Sequence, residues 1–385
     1  MKFKKLSSFI LSERSRNLIM ITNYEIEFLP VGNGEKSGDC ILIHYFENNV
    51  EKIIVYDGGT QASGEAMVAH IKEYYGTHKI DYLINSHPDG DHVSGLIHVL
   101  ENMQVGEVWI HQPWKYSEQI LDLFHDGRMT ANSLSERMKS KLRLAHRVYE
   151  LAEEKSIPVY EPYAGAKIGP FTVLSPDKDW YINTLLPDFA KTPTKAKMVF
   201  ESAVDSLENY VETVAKLLEE SWSDENLPDN VQTSAENNSS VVLYANFSGR
   251  GFVLTGDSGV EAIERACTFA ENNNLRLKEN LRFVQVPHHG SRRNVSSKAL
   301  NCLLGEPINF DAHNLTLDKT AFVSASKSSK KHPRDRVVNA FMRRGFKVIA
   351  TKGGAKRHYK GMPERSGWSS VSPLEFSYEV DDTDN

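Results

Sequence analysis

The stretch Ser86-His87-Pro88-Asp89-Gly90-Asp91-His92 follows the apolar run IDYLIN and carries two histidines and two aspartates. On a loop after a strand, His87, Asp89 and Asp91 can converge while His92 turns to the other side. Imidazole and carboxylate groups at this spacing suit two adjacent metal ions. One histidine beside one aspartate would be ordinary turn chemistry, but four potential ligands this close together favour a metal site.

Two later segments can complete such a site. Thr255-Gly256-Asp257 ends the strand-like run GFVL, where Asp257 could bridge two ions. Pro287-His288-His289-Gly290-Ser291 ends the run LRFVQV and supplies His288 and His289. A Gly-Asp pair at a strand end is also a common turn, so Asp257 is a candidate because the other two segments accompany it.

Short apolar runs bounded by glycine and polar residues predict the fold. YEIEFLPVGNG, DCILIHYF and KIIVYDGG are typical of strands, GEAMVAHIKEYYG has helical spacing, and IDYLINSH is again strand-like. Strand patterns return after residue 240 in VVLYANF, GFVLTGD, LRFVQV, TAFVSAS and FKVIAT. This order predicts an α/β protein whose ligands gather at the carboxyl ends of strands.

The regions between and around these runs suggest the domain organisation. We expect a disordered leader at 1–22, one domain over 23–360 that is interrupted by a helical insertion at 113–232, and a terminal segment with an acidic tail at 361–385. The insertion includes a short strand near FTVLSP. Its apolar residues recur every three or four positions, which indicates packing rather than gating: Leu134, Met138, Leu142, Ala145, Val148 and Ala152, then Phe200, Val204, Leu207, Val211 and Val214.

The order of these motifs resembles the metallo-β-lactamase superfamily, and in particular the hydrolase domain of the ComEC competence proteins and its stand-alone relatives. The matching segments are VGNGEKSGDCILI, YDGGT, SHPDGDHVSGL, ENNSSVVLY, FVLTGDSGVEA, VPHHGS and KKHP. The resemblance spans about residues 24–355 without the insertion. It implies an αβ/βα sandwich with a dinuclear metal site.

The resemblance also implies a set of metal ligands. His87 and Asp89 would hold the first ion, Asp91 and His92 the second, and Asp257 both. The histidine directly before Gly290, His289, matches the last histidine ligand of the superfamily.

Further roles follow from the same resemblance. Asp91 would orient a hydroxide activated by the two ions, and Asp57 of YDGG would support the metal loop. His288 would contact substrate or support the ligands, although His288 and His289 could be exchanged. His332, in the loop SKSSKKHP, would bind phosphate or act as a general acid. The predicted catalytic residues are thus Asp91, His288 and His332.

The chain departs from the superfamily at two ligands. Asp89 replaces the usual second histidine, and the mid-chain histidine has no counterpart, with Asn238 of ENNSS as the nearest candidate. The ComEC branch shares both features. More carboxylate and less imidazole favours harder ions, so we expect two divalent ions that are either zinc or manganese.

Charge is unevenly distributed although the net charge is only -6. Residues 201–226 carry eight acidic side chains and one lysine, whereas 327–360 carry twelve Lys or Arg and one Asp. The basic part could meet an anionic substrate, and the acidic insertion could recruit a protein partner.

Three functions remain open at this point. The resemblance favours a phosphodiesterase or nuclease that acts on DNA or RNA. A small-molecule ester hydrolase, of the phosphocholine esterase, lactonase or thioesterase type, would use a related site. A partner-recruiting module with weak catalysis is the third.

Cysteine usage and hydropathy bear on location. Cys40, Cys267 and Cys302 form no CxxC pair, which argues against a disulfide framework and favours a reducing, cytoplasmic compartment. No run approaches the ~18 apolar residues of a membrane helix, so we expect no membrane partner.

Overall fold

The computed structural model describes residues 21–32, 36–123, 129–189, 217–228, 231–308 and 317–381. The strands in these ranges are β1 Tyr24–Phe28, β2 Cys40–Glu47, β3 Val50–Gly58, β4 Lys79–Ile84, β5 Gln104–Trp109, β6 Val159–Tyr160, β7 Lys167–Ile168, β8 Phe171–Ser175, β9 Leu217–Glu219, β10 Val242–Phe247, β11 Arg250–Leu254, β12 Leu281–Gln285, β13 Lys319–Val323, β14 Phe346–Ala350, β15 Lys356–Lys360 and β16 Glu379–Asp381.

Helices connect these strands in the same ranges. They are α1 Gln61–His70, α2 Gly90–Asn102, α3 Ser117–Ile120, α4 Ala131–Lys141, α5 Arg143–Glu154, α6 Lys178–Trp180, α7 Leu186–Asp188, α8 Ala235–Asn238, α9 Val260–Asn272, α10 Leu277–Asn280, α11 Ser297–Leu304 and α12 Asp335–Arg343. Wider π-helical turns continue α1 over Ile71–Tyr75 and α6 over Tyr181–Leu185. The helix predicted from GEAMVAHIKEYYG is α1 with its continuation.

The strands form two seven-stranded mixed sheets and one two-stranded sheet. The first sheet has the order β15-β1-β2-β3-β4-β5-β6, and the second has the order β14-β13-β12-β11-β10-β8-β7. Strands β3 to β6 run parallel in the first sheet, as do β11 to β14 in the second. The third sheet pairs β9 with β16.

The two large sheets pack face to face through an aromatic core. Phe28 of β1 lies edge-on to Phe283 and Phe322 of the second sheet, with ring centroids 6.0 and 5.4 Å apart. Helices α1, α2 and α5 cover the outer face of the first sheet, and α9, α11 and α12 cover that of the second. The αβ/βα sandwich predicted from the motifs is therefore confirmed.

The segment predicted as a helical insertion contributes to both sheets. Strand β6 pairs with β5 at one edge of the first sheet, and β8 pairs with β10 in the second. Within α4 and α5, Leu134 and Val148 are fully buried, as the apolar stripe predicted. The second stripe, from Phe200 to Val214, lies outside the described residues. The segment is thus part of the sandwich rather than only an addition to it.

The cysteines differ from expectation. Cys267 of α9 and Cys302 of α11 form a disulfide with their Cα atoms 6.1 Å apart, whereas Cys40 is free and buried. The argument against a disulfide framework did not anticipate this pair, because the two cysteines are 35 residues apart in sequence and meet only where α9 packs against α11. In the described ranges, the helices lack the length and apolar character needed to span a bilayer.

Candidate metal centre

The candidate site lies where strand ends from the two sheets meet. Asp57 is near the end of β3, and the 86–92 stretch follows β4, its parallel neighbour. In the second sheet, Asp257 follows β11 and the His288-His289 pair follows β12, also its parallel neighbour. The Val241 amide donates to the Ser86 carbonyl at 3.1 Å, which links the two halves.

One carboxylate oxygen is common to the histidines. Asp257 Oδ2 lies 3.8 Å from His87 Nε2, 3.4 Å from His92 Nε2, 3.6 Å from His288 Nε2 and 3.7 Å from His289 Nε2. Burial would raise the pKa of Asp257, but His92, His288 and His289 outweigh it and hold the pKa well below its usual range. Four imidazole nitrogens around one carboxylate oxygen provide donor atoms that can bind divalent cations.

Unpaired buried atoms test whether these residues fit metal ions. His87 Nε2, His92 Nε2 and Asp257 Oδ1 are buried without a hydrogen-bond partner among the described residues. Such atoms cost about 1–3 kcal/mol each unless something else satisfies them. All three are ordinary ligands of divalent metals, so the donor set fits.

Other side chains hold the ligands in place. Asp57 accepts hydrogen bonds from His92 Nδ1 at 2.9 Å and from the Ser86 amide at 2.7 Å. Ser86 Oγ in turn lies 2.9 Å from His87 Nδ1. These contacts on Nδ1 direct each Nε2 toward the centre, as partners of metal-bound histidines usually do. Asp57 therefore supports the loop, as the resemblance implied.

The local geometry differs from the predicted loop. Helix α2 begins at Gly90, so Asp91 and His92 lie in its first turn. His92 does not turn away: its ring centroid is 4.2 Å from that of His87. Asp89 Oδ2 lies 3.7 Å from His87 Nε2.

The structure also brings predicted ligands of different segments together. Ligand atoms of Asp91, His92 and His289 lie within 4.8 Å of one another, close enough to share an ion. The structure thus gathers all predicted ligands in one region. Their assignment to a first or a second ion stays a prediction.

Asp39 is a candidate that the sequence analysis missed. It is 1% exposed, and its ligand atom lies within 4.8 Å of those of Asp257 and His289. Its Oδ2 accepts a hydrogen bond from Gln285 Nε2 at 2.7 Å, whereas Oδ1 has no partner among the described residues. Burial raises the pKa of Asp39 to about 7, against the opposing effect of His92 and with a smaller contribution from the carboxylates of Asp257 and Asp57. Its position directly before β2, in the turn GNGEKSGD, was the available signal.

The turn before Asp39 requires a glycine. A Cβ atom at Gly38 would lie 2.1 Å from the Asp91 carbonyl oxygen. The glycine therefore lets the β1-β2 turn approach the start of α2, which places Asp39 beside the other ligands.

The His288-His289 turn is strained. Both residues have positive φ, 45° and 57°, which non-glycine residues seldom adopt. The next residue, Gly290, packs so closely on Pro333 that a Cβ would lie 2.5 Å from the Pro333 Cβ. Strain of this kind often accompanies functional sites.

The protonated nitrogen of His288 can be inferred from Asn294. The Asn294 amide nitrogen donates to the Asp257 carbonyl at 2.8 Å, so Asn294 Oδ1 faces His288 Nδ1 at 2.6 Å and must accept its proton. In the neutral ring, the Nε2 of His288 therefore carries the lone pair and faces Asp257 Oδ2 at 3.6 Å. That nitrogen can serve as a metal ligand or as a hydrogen-bond acceptor.

A cavity of about 710 Å³ opens above the cluster. His332 lines it, with its ring centroid 6.3 Å from that of His288. Burial, then the neighbouring histidines, lower the pKa of His332 to about 3. Asn237, rather than the predicted Asn238, lines this cavity, and its Nδ2 lies 3.3 Å from His288 Nδ1.

The predicted basic surface is only partly a surface. Arg343, the last residue of α12, and Arg344 directly after it are each 1% exposed, and they pair with Glu220 and Glu225, respectively, at 2.6 Å. The basic helix thus neutralises part of the acidic segment inside the protein. Lysines remain at the cavity itself: Lys36, Lys330 and Lys331 line its rim.

The comparison with known families matches part of the chain. Residues 33–130 match the family model of the metallo-beta-lactamase superfamily. The chain is 26% identical over 157 residues to ComE operon protein 3 of Bacillus subtilis. The matched segment covers 40% of this chain and 18% of that protein. The chain therefore matches less than a fifth of that relative's length.

The solved structures that resemble this chain are more distant in sequence. The metallo-beta-lactamase fold protein YhfI of Bacillus subtilis is 10% identical and covers 87% of this chain and 100% of that chain, with a TM-score of 0.37. Unliganded yeast PDE1 is 11% identical and covers 87% of this chain and 99% of that chain, with a TM-score of 0.40.

Proposed function

We propose that this chain is a dinuclear, metal-dependent phosphodiesterase that cuts DNA or RNA. The observation that carries the proposal is the combination of unpaired buried ligand atoms with a cationic rim. His87 Nε2, His92 Nε2 and Asp257 Oδ1 have no hydrogen-bond partner in the described ranges, and lysines line the cavity above them. A phosphodiester needs both a metal site for its reacting oxygens and positive charge for its anionic ones.

The predicted ligands would hold two zinc or manganese ions in the arrangement that the resemblance implies. Divalent ions, when bound, supply Lewis acidity that lowers the pKa of water and neutralises charge on a phosphoryl group. The protein's own contribution is to fix the ligands: Asp57 orients His92, and Ser86 orients His87.

The rim would bind and orient the substrate. Lys36, Lys330 and Lys331 can neutralise the phosphate oxygens, and His332 can donate a hydrogen bond to one of them. Asp91, beside His92 in the first turn of α2, would accept a proton from the attacking water. The water oxygen then bonds to phosphorus as the bond to the leaving oxygen breaks, and solvent in the open cavity protonates that oxygen.

A small-molecule ester hydrolase is the second candidate, because the cavity volume favours it. At about 710 Å³ the cavity lies in the size range of small-molecule pockets. Hydrolysis of a small ester that is insensitive to salt would support this function over the first.

The test is hydrolysis of bis-p-nitrophenyl phosphate and of labelled single- and double-stranded DNA, with manganese and zinc added separately. Wild type is compared with Asp91→Asn and with Asp188→Asn, which removes an exposed carboxylate at the end of α7. We expect metal-dependent cleavage that only Asp91→Asn abolishes. A folded, metal-loaded protein that cleaves none of these substrates would refute the proposal.

A further inference from the structure

The molecule has a second large cavity that the metal centre does not use. This outer cavity has a volume of about 700 Å³ and lies along β15, the edge strand of the first sheet, and the segment that follows it. Lys356, Tyr359, Glu364 and Trp368 are among its lining residues.

The loop between β14 and β15 connects the outer cavity to the metal centre. Lys352 Nζ donates to the carbonyl oxygens of Ser329 and His332, both at 2.7 Å, and these two residues line the metal cavity. Gly353 packs on the side chain of Lys327: a Cβ there would lie 2.9 Å from the Lys327 Cβ. Lys356 Nζ donates back to the Gly354 carbonyl at 3.2 Å. A short segment of chain therefore connects the rim of the metal cavity to the lining of the outer cavity.

The surface along this connection is cationic. We call it the lysine bridge, and its members are Lys327, Lys330, Lys331, Lys352 and Lys356. No carboxylate among the described residues lies within ion-pair distance of any of the five, whereas Lys52, Lys139 and Lys298 elsewhere do form ion pairs. The bridge therefore offers its charge to an external anion.

Two aromatic rings line the outer cavity, and an arginine guanidinium lies close to each of them. Tyr359 is 44% exposed, and the Arg357 guanidinium lies 4.1 Å from its ring centroid. The Arg365 guanidinium lies 5.1 Å from the ring centroid of Trp368. Both arginines are paired with Glu25, so they position rings rather than serve as free anion sites.

The lysines can neutralise phosphate, and they lead to the exposed ring of Tyr359 and the half-buried ring of Trp368. Proteins hold unpaired nucleotides by this combination of cations and accessible aromatic rings, because the base faces are open to stacking. We propose that a single-stranded nucleic acid runs from the metal centre over the lysine bridge and stacks its bases on Tyr359 and Trp368 in the outer cavity. This inference rests on the proposed phosphodiesterase function and names its substrate class. Glu364 would repel phosphate, which places the bases rather than the backbone against this side of the cavity.

A purely structural account exists for the same lysines. Charged residues on an edge strand such as β15 prevent pairing with other chains. That account predicts no contribution of Lys356 or Tyr359 to nucleic-acid binding, so the two explanations are separable by affinity.

The experiment measures fluorescence anisotropy of labelled phosphorothioate oligothymidylates, which are cut slowly, with the full-length, manganese-loaded chain. Strands of about four and about sixteen nucleotides bracket the usual range of single-strand sites. We expect Tyr359→Ala to raise the Kd of the long strand about tenfold, since stacking on one ring has this order of effect. Tyr359→Phe keeps the ring and should bind as wild type does.

Salt dependence tests the lysine bridge. Lys356→Ala should reduce the slope of log K against log salt by about one, because one phosphate contact is lost. Two controls match these variants: Tyr160→Ala removes a 45%-exposed tyrosine from β6, the opposite edge strand, and Lys347→Ala removes an exposed lysine of β14. Neither control should change affinity or salt slope.

The outcomes separate the two proposals. All variants should hydrolyse bis-p-nitrophenyl phosphate at the wild-type rate, because this small substrate reaches only the metal centre. Equal affinity for short and long strands, no binding of the long strand, or the same Kd in Tyr359→Ala and Tyr160→Ala would overturn the inference while leaving the phosphodiesterase proposal intact. Loss of all hydrolysis in wild type would instead refute the proposed function.

Discussion

Two buried clusters of ionisable side chains differ in how completely their polar atoms are paired. On β1, Glu25 and Glu27 are 2% and 0% exposed, and Arg365 pairs with both carboxylates. At the metal centre, Asp257 Oδ1 and His92 Nε2 are also buried, yet neither has a hydrogen-bond partner among the described residues. We call these the paired cluster and the open cluster.

The difference indicates what each cluster is for. In the paired cluster, burial would raise the pKa of Glu27, but His70, Arg365 and Tyr75 outweigh it and keep the pKa below its usual range. These contacts tie the segment after β15 to β1. The open cluster keeps lone pairs that no protein group in the described part of the chain satisfies, which a fold tolerates where an external ligand supplies the partner.

The largest effect should come from breaking the open cluster. Asp257→Asn removes the central carboxylate charge but keeps the size of the side chain, so we expect turnover of bis-p-nitrophenyl phosphate to fall by about a thousandfold, as when other preorganised electrostatic groups are removed. Initial rates at saturating manganese measure this. Glu27→Gln is the matched control in the paired cluster, and the folded fraction of that variant should keep wild-type turnover. A variant at Asp257 with near-wild-type rates would contradict the assignment of the centre.

Breaking the paired cluster should affect stability instead. Glu27→Gln leaves Arg365 and His70 with one buried charge partner fewer, and loss of one member of a buried ion pair costs about 3–5 kcal/mol. Urea denaturation of the metal-loaded protein measures the free energy of unfolding. Glu51→Gln, which changes a half-buried carboxylate bonded to His44 at the rim of this cluster, should cost much less. Equal losses in the two variants would show that burial of the cluster does not matter.

The sequence predicted the open cluster because its members stand close together in short motifs at strand ends. The stretch from Ser86 to His92, the Gly-Asp turn at Asp257 and the His288-His289 pair each follow a strand with a clear apolar pattern. Parallel neighbouring strands end at one edge, so their convergence follows from the fold. The order of the runs predicted an α/β protein, whereas the two-sheet sandwich was implied by the resemblance to the metallo-β-lactamase superfamily.

Features that depend on contacts between distant segments could not be predicted in this way. Asp39 and Gln285 are 246 residues apart, and no local pattern indicates that one donates to the other. The charge of residues 327–360 likewise suggested a basic surface, although Arg343 and Arg344 are internal partners of Glu220 and Glu225. A count of charges does not distinguish a solvated cation from one that holds two segments together.

The effect of metal ions on the Tm is a further test of the difference between the open cluster and the paired cluster. An ion that binds only the folded chain raises the free energy of unfolding by about 2.7 kcal/mol at a hundred times its Kd. We expect manganese or zinc to raise the Tm of wild type, with EDTA reversing the shift. Glu27→Gln should show the same shift from a lower starting Tm, whereas Asp257→Asn should show little. A Tm that does not respond to either metal or to EDTA would count against a metal site in the open cluster.

His111 tests whether unpaired imidazoles alone identify a metal site. Both of its ring nitrogens are buried without a partner among the described residues, and its ring lies 4.9 Å from that of Tyr163 and 4.3 Å from that of Tyr181. In the described part of the chain, His111 belongs to none of the groups of three or more side chains that could hold a metal ion. We therefore expect the metal-induced Tm shift to persist in His111→Phe.

The same variant should change the acid limb of the stability curve. Burial lowers the pKa of His111 to about 3, well below its ordinary value near 6.5. Between these two values the unfolded chain binds a proton that the folded chain does not, so the free energy of unfolding falls as pH falls, by about 1.4 kcal/mol per pH unit from this one group. His111→Phe should remove that part of the slope, whereas His78→Phe, at an exposed position, serves as the control. An unchanged pH slope of the free energy of unfolding in His111→Phe, together with loss of its metal-induced Tm shift, would instead identify His111 as a metal ligand. Unpaired buried nitrogens would then be enough to identify a metal site, without carboxylates beside them.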